Sequence, residues 1–223
     1  MRSHLTQCGI PGIGVVPYGF HMCHFYSSRQ ELLDPLIPYF RAGLNNGERC
    51  LWIASSPLQI TEVASEIIKH PELEQGISSG ELKIFDAVEW YGHPATLAVE
   101  KIVQRFIDEE ERAIADGYQA LRVAGNTSFM PRAHWELLME YESKLHAGLR
   151  DRRVLACCSY NRLECRPIDI LEVVRRHDAT LDRTDDDWEI FLRNSDPFRE
   201  GKIRERRRPE IRGNGHDTPR LPV

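Results

Sequence analysis

HMCHFYSSRQELLDPLIPYFRAGLNNGERCLWIAS, residues 21–55, divides into an apolar run, a polar turn, a long amphipathic segment, a glycine-punctuated loop and a second apolar run. The first run, Phe20–Tyr26, reads as a buried strand. Ser28-x-x-Glu31 is a capping box, the pattern that satisfies the free amides of a helix start. Leu32, Leu33, Leu36, Ile37, Phe40 and Leu44 then recur at helical spacing. Pro35 and Pro38 fall inside that helix, and an interior proline costs about 3 kcal/mol, so a kink or restart is expected there. Asn45-Asn46-Gly47 ends the helix and Arg49–Ser55 reads as the next strand. Strand, helix and strand make a βαβ unit, which predicts an α/β fold with a mostly parallel sheet flanked by helices. The turn after the first strand, Tyr26 to Glu31, has no glycine and no lysine. A phosphate cradle needs both.

Outward from this unit, Pro11, Gly12, Gly14, Pro17 and Gly19 punctuate residues 1–19 too densely for a helix or central strand, which predicts an irregular arm. Downstream, Ser56-Pro57-Leu58-Gln59 reads as a helix start, with the helix running to Lys69. Residues 70–80 read as a turn-rich piece, Leu82–Phe85 as a strand, and Trp90-Tyr91-Gly92-His93-Pro94 as an aromatic loop that is either a lid or core. Helices are expected over 95–115, 131–149 and 167–177, and strands over 121–125 and 153–160. RVLACCSY (153–160) is apolar enough for the middle of a parallel sheet. Ala179–Arg183 and Trp188–Arg193 form a closing hairpin around an acidic turn. The folded domain is thus placed at 20–196. Residues 197–223 lack core-forming side chains and read as a disordered charged tail, whose Arg204–Arg208 cluster is a solvated run or a contact for an acidic partner.

The 223 residues carry 29 Lys+Arg, 34 Asp+Glu and a formal charge of -5. That balance argues against direct nucleic-acid binding. No apolar run approaches the roughly 20 residues of a membrane span, and the N-terminus is a poor signal peptide; a cytoplasmic protein is expected. The six cysteines form no CxxC pair and several lie inside strands, so reduced, buried thiols are expected and no structural metal. Strand alternation puts His21 and Cys23 on one face and Met22 and His24 on the other, and separates Cys157 from Cys158. A metal- or haem-linked redox site would have to draw on His24 and Cys158, with Cys165 or His177, brought together by tertiary structure alone. His21 could instead pin the N-terminal arm.

The order of several motifs resembles a known family. His21-Met22-Cys23-His24-Phe25-Tyr26, Gly47-Glu48-Arg49-Cys50-Leu51-Trp52, Arg122 to Ser128, Cys158-Ser159-Tyr160-Asn161 and a closing helix ending at His177 are similar to the MEDS domain, the methanogen/methylotroph sensory domain, a degenerate relative of RecA-like ATPases. The resemblance spans about residues 20–193. It implies a RecA-like fold and a sensory, ligand-binding role, in a family found beside histidine kinase modules or DNA-binding segments and proposed to sense simple hydrocarbon derivatives. This chain has neither module, so it would signal through a partner such as a histidine kinase or transcription regulator, or by self-association as a homo-oligomer. Family members often carry an acidic residue where Asn126 stands and a proline where Asp178 stands.

Open α/β sheets bind ligands beyond the carboxyl ends of their strands. That rule selects Tyr26, Ser27, Arg29, Asn126, Thr127, Ser128, Tyr160 and Asn161 as a small-molecule pocket. Arg29 could hold an anion. The capping box already occupies the helix amides, the cradle lysine is missing, and no carboxylate ends the strand at Gly125 to hold magnesium, so ATP hydrolysis is not expected. The resulting reading is a non-catalytic sensory domain without a cofactor. The alternatives are a pseudo-ATPase docking module with no small-molecule ligand, or the redox sensor through His24 and Cys158.

Overall fold

The computed structural model describes residues 5–184 and 187–193, without the side chains of Thr184 and Asp187. The charged tail assigned to 197–223 lies outside the described residues. Seven strands form one sheet: β3 (Phe20–Tyr26), β4 (Arg49–Ala54), β5 (Leu82–Asp86), β6 (Leu121–Asn126), β7 (Val154–Asn161), β8 (Ala179–Thr184) and β9 (Asp187–Leu192). Their order is β5-β4-β6-β7-β3-β8-β9. All neighbours pair parallel except β8 with β9, the closing hairpin. β3 and β4 are therefore joined by a helix but separated in space by β6 and β7.

Helices cover both faces, so the central strands are apolar on both sides. On one face α1 (Arg29–Asn45), α2 (Ile60–Ile67) and α3 (Pro71–Ser79) pack on Met22, Trp52, Ala124 and Leu155. On the other, α4 (Ala87–Tyr91), α5 (Val99–Ala115), α6 (Trp135–Leu149) and α7 (Pro167–Val174) pack on Cys23, Ile53, Val123 and Ala156. The expected alternation holds: Cys157 lies in the first core and Cys158 packs against the second.

The N-terminal segment is more ordered than its glycines and prolines suggested. β1 (Leu5–Gln7) and β2 (Val15–Pro17) pair antiparallel, and Cys8, Ile10 and Val16 are buried against α1. The expected irregular arm is thus a β-ribbon. It is pinned by Arg122 of β6 rather than by His21. The Arg122 guanidinium donates to the carbonyls of Cys8 (2.7 Å), Gln7 (2.8 Å) and Tyr39 (2.8 Å) and to Glu48 Oε2 (2.5 Å).

α1 runs unbroken across Pro35 and Pro38, so the helix does not restart there. Eight buried side chains or backbone positions along it, including Leu36, Tyr39 and Phe40, outweigh two missing amide donors, since packing rather than propensity stabilises most protein helices. α2 starts later than the Ser56 cap predicted. The chain turns after Ser55, with Leu58 N donating to the Ser55 carbonyl, and Gln59 with Glu62 forms the capping box instead. Residues 71–79 are a helix rather than turns, opened by Pro71 and closed by Gly80 at φ 79°, a left-handed conformation natural to glycine. The aromatic loop is partly helical too: the Asp86 carboxylate caps α4 through the amides of Val88 and Glu89. Trp90 is core, packed on Phe85 and Phe106.

Candidate functional site: a buried polar cluster beside the central strand

β3 lies between β7 and β8, and its alternation points His21 toward α6 and α7. There it meets Glu142 of α6, Cys158 of β7 and His177, which follows α7. His21 Nε2 lies 3.2 Å from Cys158 Sγ and 3.4 Å from Glu142 Oε2. His177 Nε2 lies 3.6 Å from the same carboxylate oxygen. One donor atom from each residue falls within 4.8 Å of every other. His21, Glu142 and His177 have no exposure (0%); Cys158 is partly buried.

The surroundings hold each group in place. Tyr160 donates its hydroxyl proton to Glu142 Oε1 at 2.5 Å. His177 Nδ1 lies 2.8 Å from the Val173 carbonyl, an oxygen that only accepts, so Nδ1 carries the proton and Nε2 presents a lone pair to the cluster. Glu142 Oε2 and His177 Nε2 make no hydrogen bond. Burial pushes the Glu142 carboxyl up to about 7 and the Cys158 thiol well above its usual range, and pushes His177 down to about 3. His21 is lowered as well, first by burial and then by His177 and His146. As it stands, the cluster favours uncharged groups.

A nucleophilic triad would use the two ring nitrogens of a histidine for different partners, one for the nucleophile and one for the carboxylate. Here Cys158 and Glu142 both face Nε2 of His21, and the thiol is not activated. The arrangement is convergent, with several donors aimed at one point. Next to it, between the sheet and α5–α6, lies a narrow cavity of about 10 Å³ lined by Tyr91, Phe106, Gly125, Tyr141, Leu145 and Cys158 among others, room for about one water.

The residues expected at the strand ends divide into groups. Tyr26, Asn126 and Ser128 come together: the Tyr26 hydroxyl is 2.9 Å from Ser128 Oγ, and Asn126 Nδ2 reaches it at 3.5 Å. Asn126 also donates to the carbonyls of Ser55 (3.0 Å) and Ser56 (2.6 Å) and accepts from Ser55 Oγ. Thr127 is tied to the Ser159 carbonyl. Ser27 N donates to Glu31, Ser28 Oγ accepts from the Glu31 amide, and half-exposed Arg29 faces Glu62 at 3.9 Å. Asn161 caps the turn at 162–164 through Leu163 N. Tyr160 points away from this rim, into the buried cluster. The rim residues thus largely satisfy one another.

The family model described as MEDS, methanogen/methylotroph, DcmR sensory domain, matches residues 20–178. The chain belongs to the MEDS family. No curated protein matches it by sequence. Among solved structures, a KaiC-like protein from the hyperthermophilic archaeon Pyrococcus horikoshii OT3 is similar, with a TM-score of 0.57 and 12% identity over 86% of this chain and 88% of that one. At that identity the likeness speaks for the fold alone, a RecA-like α/β sheet. Among the described residues, no helix is long and apolar enough to cross a membrane.

Within this MEDS domain, the pairing of His24 with Cys158 fails. His24 shares the α1 face with Tyr26 and Trp188 and lies 3.4 Å from Ser159 Oγ, whereas Cys158 packs on the opposite face. Cys158 and His177 do meet, but through His21 and Glu142. Glu142 was illegible in sequence because a lone glutamate on an amphipathic helix reads as solvated. The available clue was its spacing: Glu142 lies four residues after Leu138 and three before Leu145, on the apolar stripe of α6.

Proposed function

We infer that this MEDS domain is a non-catalytic sensor that takes a small, largely apolar molecule into the cavity between β6–β7 and α5–α6 and passes its occupancy to a signalling protein. The observation that carries this reading is the contact between an apolar cavity and a buried polar cluster, joined at Cys158. Such a pairing suits a ligand with a hydrocarbon body and one polar end. The cavity admits more than a water only when its lining moves. Tyr91, stacked on Phe129 with ring centroids 4.4 Å apart, is the side chain best placed to do so. Its hydroxyl comes close to the sheet because residue 125 is glycine: a Cβ there would sit 3.3 Å from the Tyr91 oxygen.

The path outward runs through α7. His177 ends in the cluster, while Ile168 and Leu171, three residues apart on α7, are each 51% exposed and Leu163 just before them is 77% exposed. A displacement at His177 would shift this apolar face, which suits a histidine kinase or transcription regulator as partner. The same face supports the docking-module alternative, in which no small molecule is needed.

A thermal-shift screen of short-chain alcohols, aldehydes, amines and halides tests the reading. One chemical class should raise the melting temperature of the native chain by several degrees, as mass action requires when the ligand is well above its Kd. Gly125→Ala should keep the fold and abolish the shift. A native chain that answers to none of the panel would favour the docking module.

A further inference from the structure

We propose that His21, Glu142, Cys158 and His177 form a tetrahedral site for a divalent transition metal of the zinc type. The donor set is two imidazoles, a thiol and a carboxyl, which are the groups Zn²⁺ prefers. They come from four places along the chain: β3, α6, β7 and the turn after α7. Bond lengths of roughly 2.0 Å to nitrogen or oxygen and 2.3 Å to sulfur make the edges of a tetrahedral zinc site about 3.3–3.6 Å. The donor separations are 3.2, 3.4 and 3.6 Å, and the remaining pairs lie within 4.8 Å. The four groups therefore stand close to ligand spacing.

Two further features point to an ion. Glu142 Oε2 and His177 Nε2 are buried, aimed into the cluster and without a hydrogen bond, a costly state for polar atoms in an interior. A metal would satisfy both at once. Behind the donors, the Val173 carbonyl holds the His177 tautomer that ligates through Nε2, and Tyr160 anchors the free oxygen of Glu142. Supports of this kind orient the ligands of protein metal sites. Charge closes as well. A dication bound by one thiolate, one carboxylate and two neutral imidazoles sums to zero, with the thiol and carboxyl protons released to solvent on binding. Occupancy would tie α6 and the end of α7 to the centre of the sheet. This proposal shares the buried cluster with the small-molecule reading, and the two fail separately because the metal is tested with no organic ligand present.

The test uses the full chain, stripped with a chelator and titrated with Co²⁺ alone. The expected result is one Co²⁺ per chain, visible bands of a tetrahedral ion, a near-ultraviolet thiolate charge-transfer band, and displacement by Zn²⁺. Cys158→Ser, nearly isosteric, should erase the charge-transfer band and weaken binding at least tenfold. Tyr160→Phe, which leaves all four donors in place, should weaken it by about 10- to 100-fold. His24→Gln, on the other face, should leave the titration unchanged. His177→Gln should also lose the ion; if it fails to fold, the two milder variants carry the test. A folded chain that takes up no Co²⁺ would overturn the proposal, as would a charge-transfer band that survives Cys158→Ser.

Discussion

Arg122 heads the fully buried side chains by volume, yet its apolar neighbours in Leu121-Arg122-Val123-Ala124 mark it only as a strand residue. Its charge is matched by Glu48, 1% exposed, and its remaining donors are spent on carbonyls from the β-ribbon and α1. It also lies over the Tyr39 ring at 4.6 Å. Removing one member of a buried pair leaves the other uncompensated, which typically costs 3–5 kcal/mol. Arg122→Met should therefore lower the unfolding free energy from urea titration by about 3 kcal/mol or more, with a matching fall in the midpoint, and Glu48→Gln in the same background should return part of it. A midpoint that does not move would mean that apolar packing alone holds the ribbon. The guanidinium also explains Gly43, where a Cβ would fall 2.6 Å from Arg122 Cδ and 2.7 Å from Cys50 Sγ.

Among the elements, the β-ribbon and α1 depend on one close approach. Gly9 has φ of +90°, and a Cβ there would lie 2.4 Å from the Ala42 Cβ and 2.5 Å from the Pro38 carbonyl oxygen. Left-handed backbone costs a non-glycine residue about 1–2 kcal/mol, and overpacking adds about 1–3 kcal/mol. Gly9→Ala should destabilise the chain by about 2–4 kcal/mol and make the segment before Phe20 the first to be cut in limited proteolysis. Cutting no faster than in the native chain would show that the ribbon is held elsewhere. The helix starts at Ser28 and the closing hairpin were legible because their signals are local: a hydroxyl, a carboxylate three residues on, an alternating run. The ribbon was not, because its glycines and prolines signal turns whether or not short strands flank them. The prolines of α1 misled for the converse reason, since their local cost is offset by contacts distant in sequence.

For the molecule as a whole, buried histidines tie stability to pH. Burial, with Arg162 adding to it, lowers His24 from 6.5 to about 3, so the folded chain refuses a proton that the unfolded chain accepts below pH 6.5. Its contribution is complete above 6.5 and is lost as pH falls from 6.5 toward 3, at about 1.4 kcal/mol per pH unit. Asp169 extends the loss to lower pH. Burial alone would raise it, but hydrogen bonds from Arg166 and Arg132 prevail and hold it at about 2, so its contribution fades as pH falls from 3.8 to 2. Unfolding free energies measured from pH 7 to 4 should fall steeply for the native chain and less steeply for His24→Gln. Parallel curves would show that His24 titrates normally in the fold.

The sequence by itself determined the α/β class, the central βαβ unit, the faces of β3 and β7 and the MEDS family, because periodicity, caps and motif order are properties of neighbouring residues. Only the tertiary structure decided which donors meet. β3 and β7 are more than a hundred residues apart in the chain, yet their parallel register sets Cys23 beside Cys158 and brings His21 within reach of the same thiol. α6 and the end of α7 then close over that face with Glu142 and His177. Strand alternation could separate His21 from His24, but pairing and register across the sheet are non-local, and they alone selected His21, rather than His24, as the histidine that shares a site with Cys158.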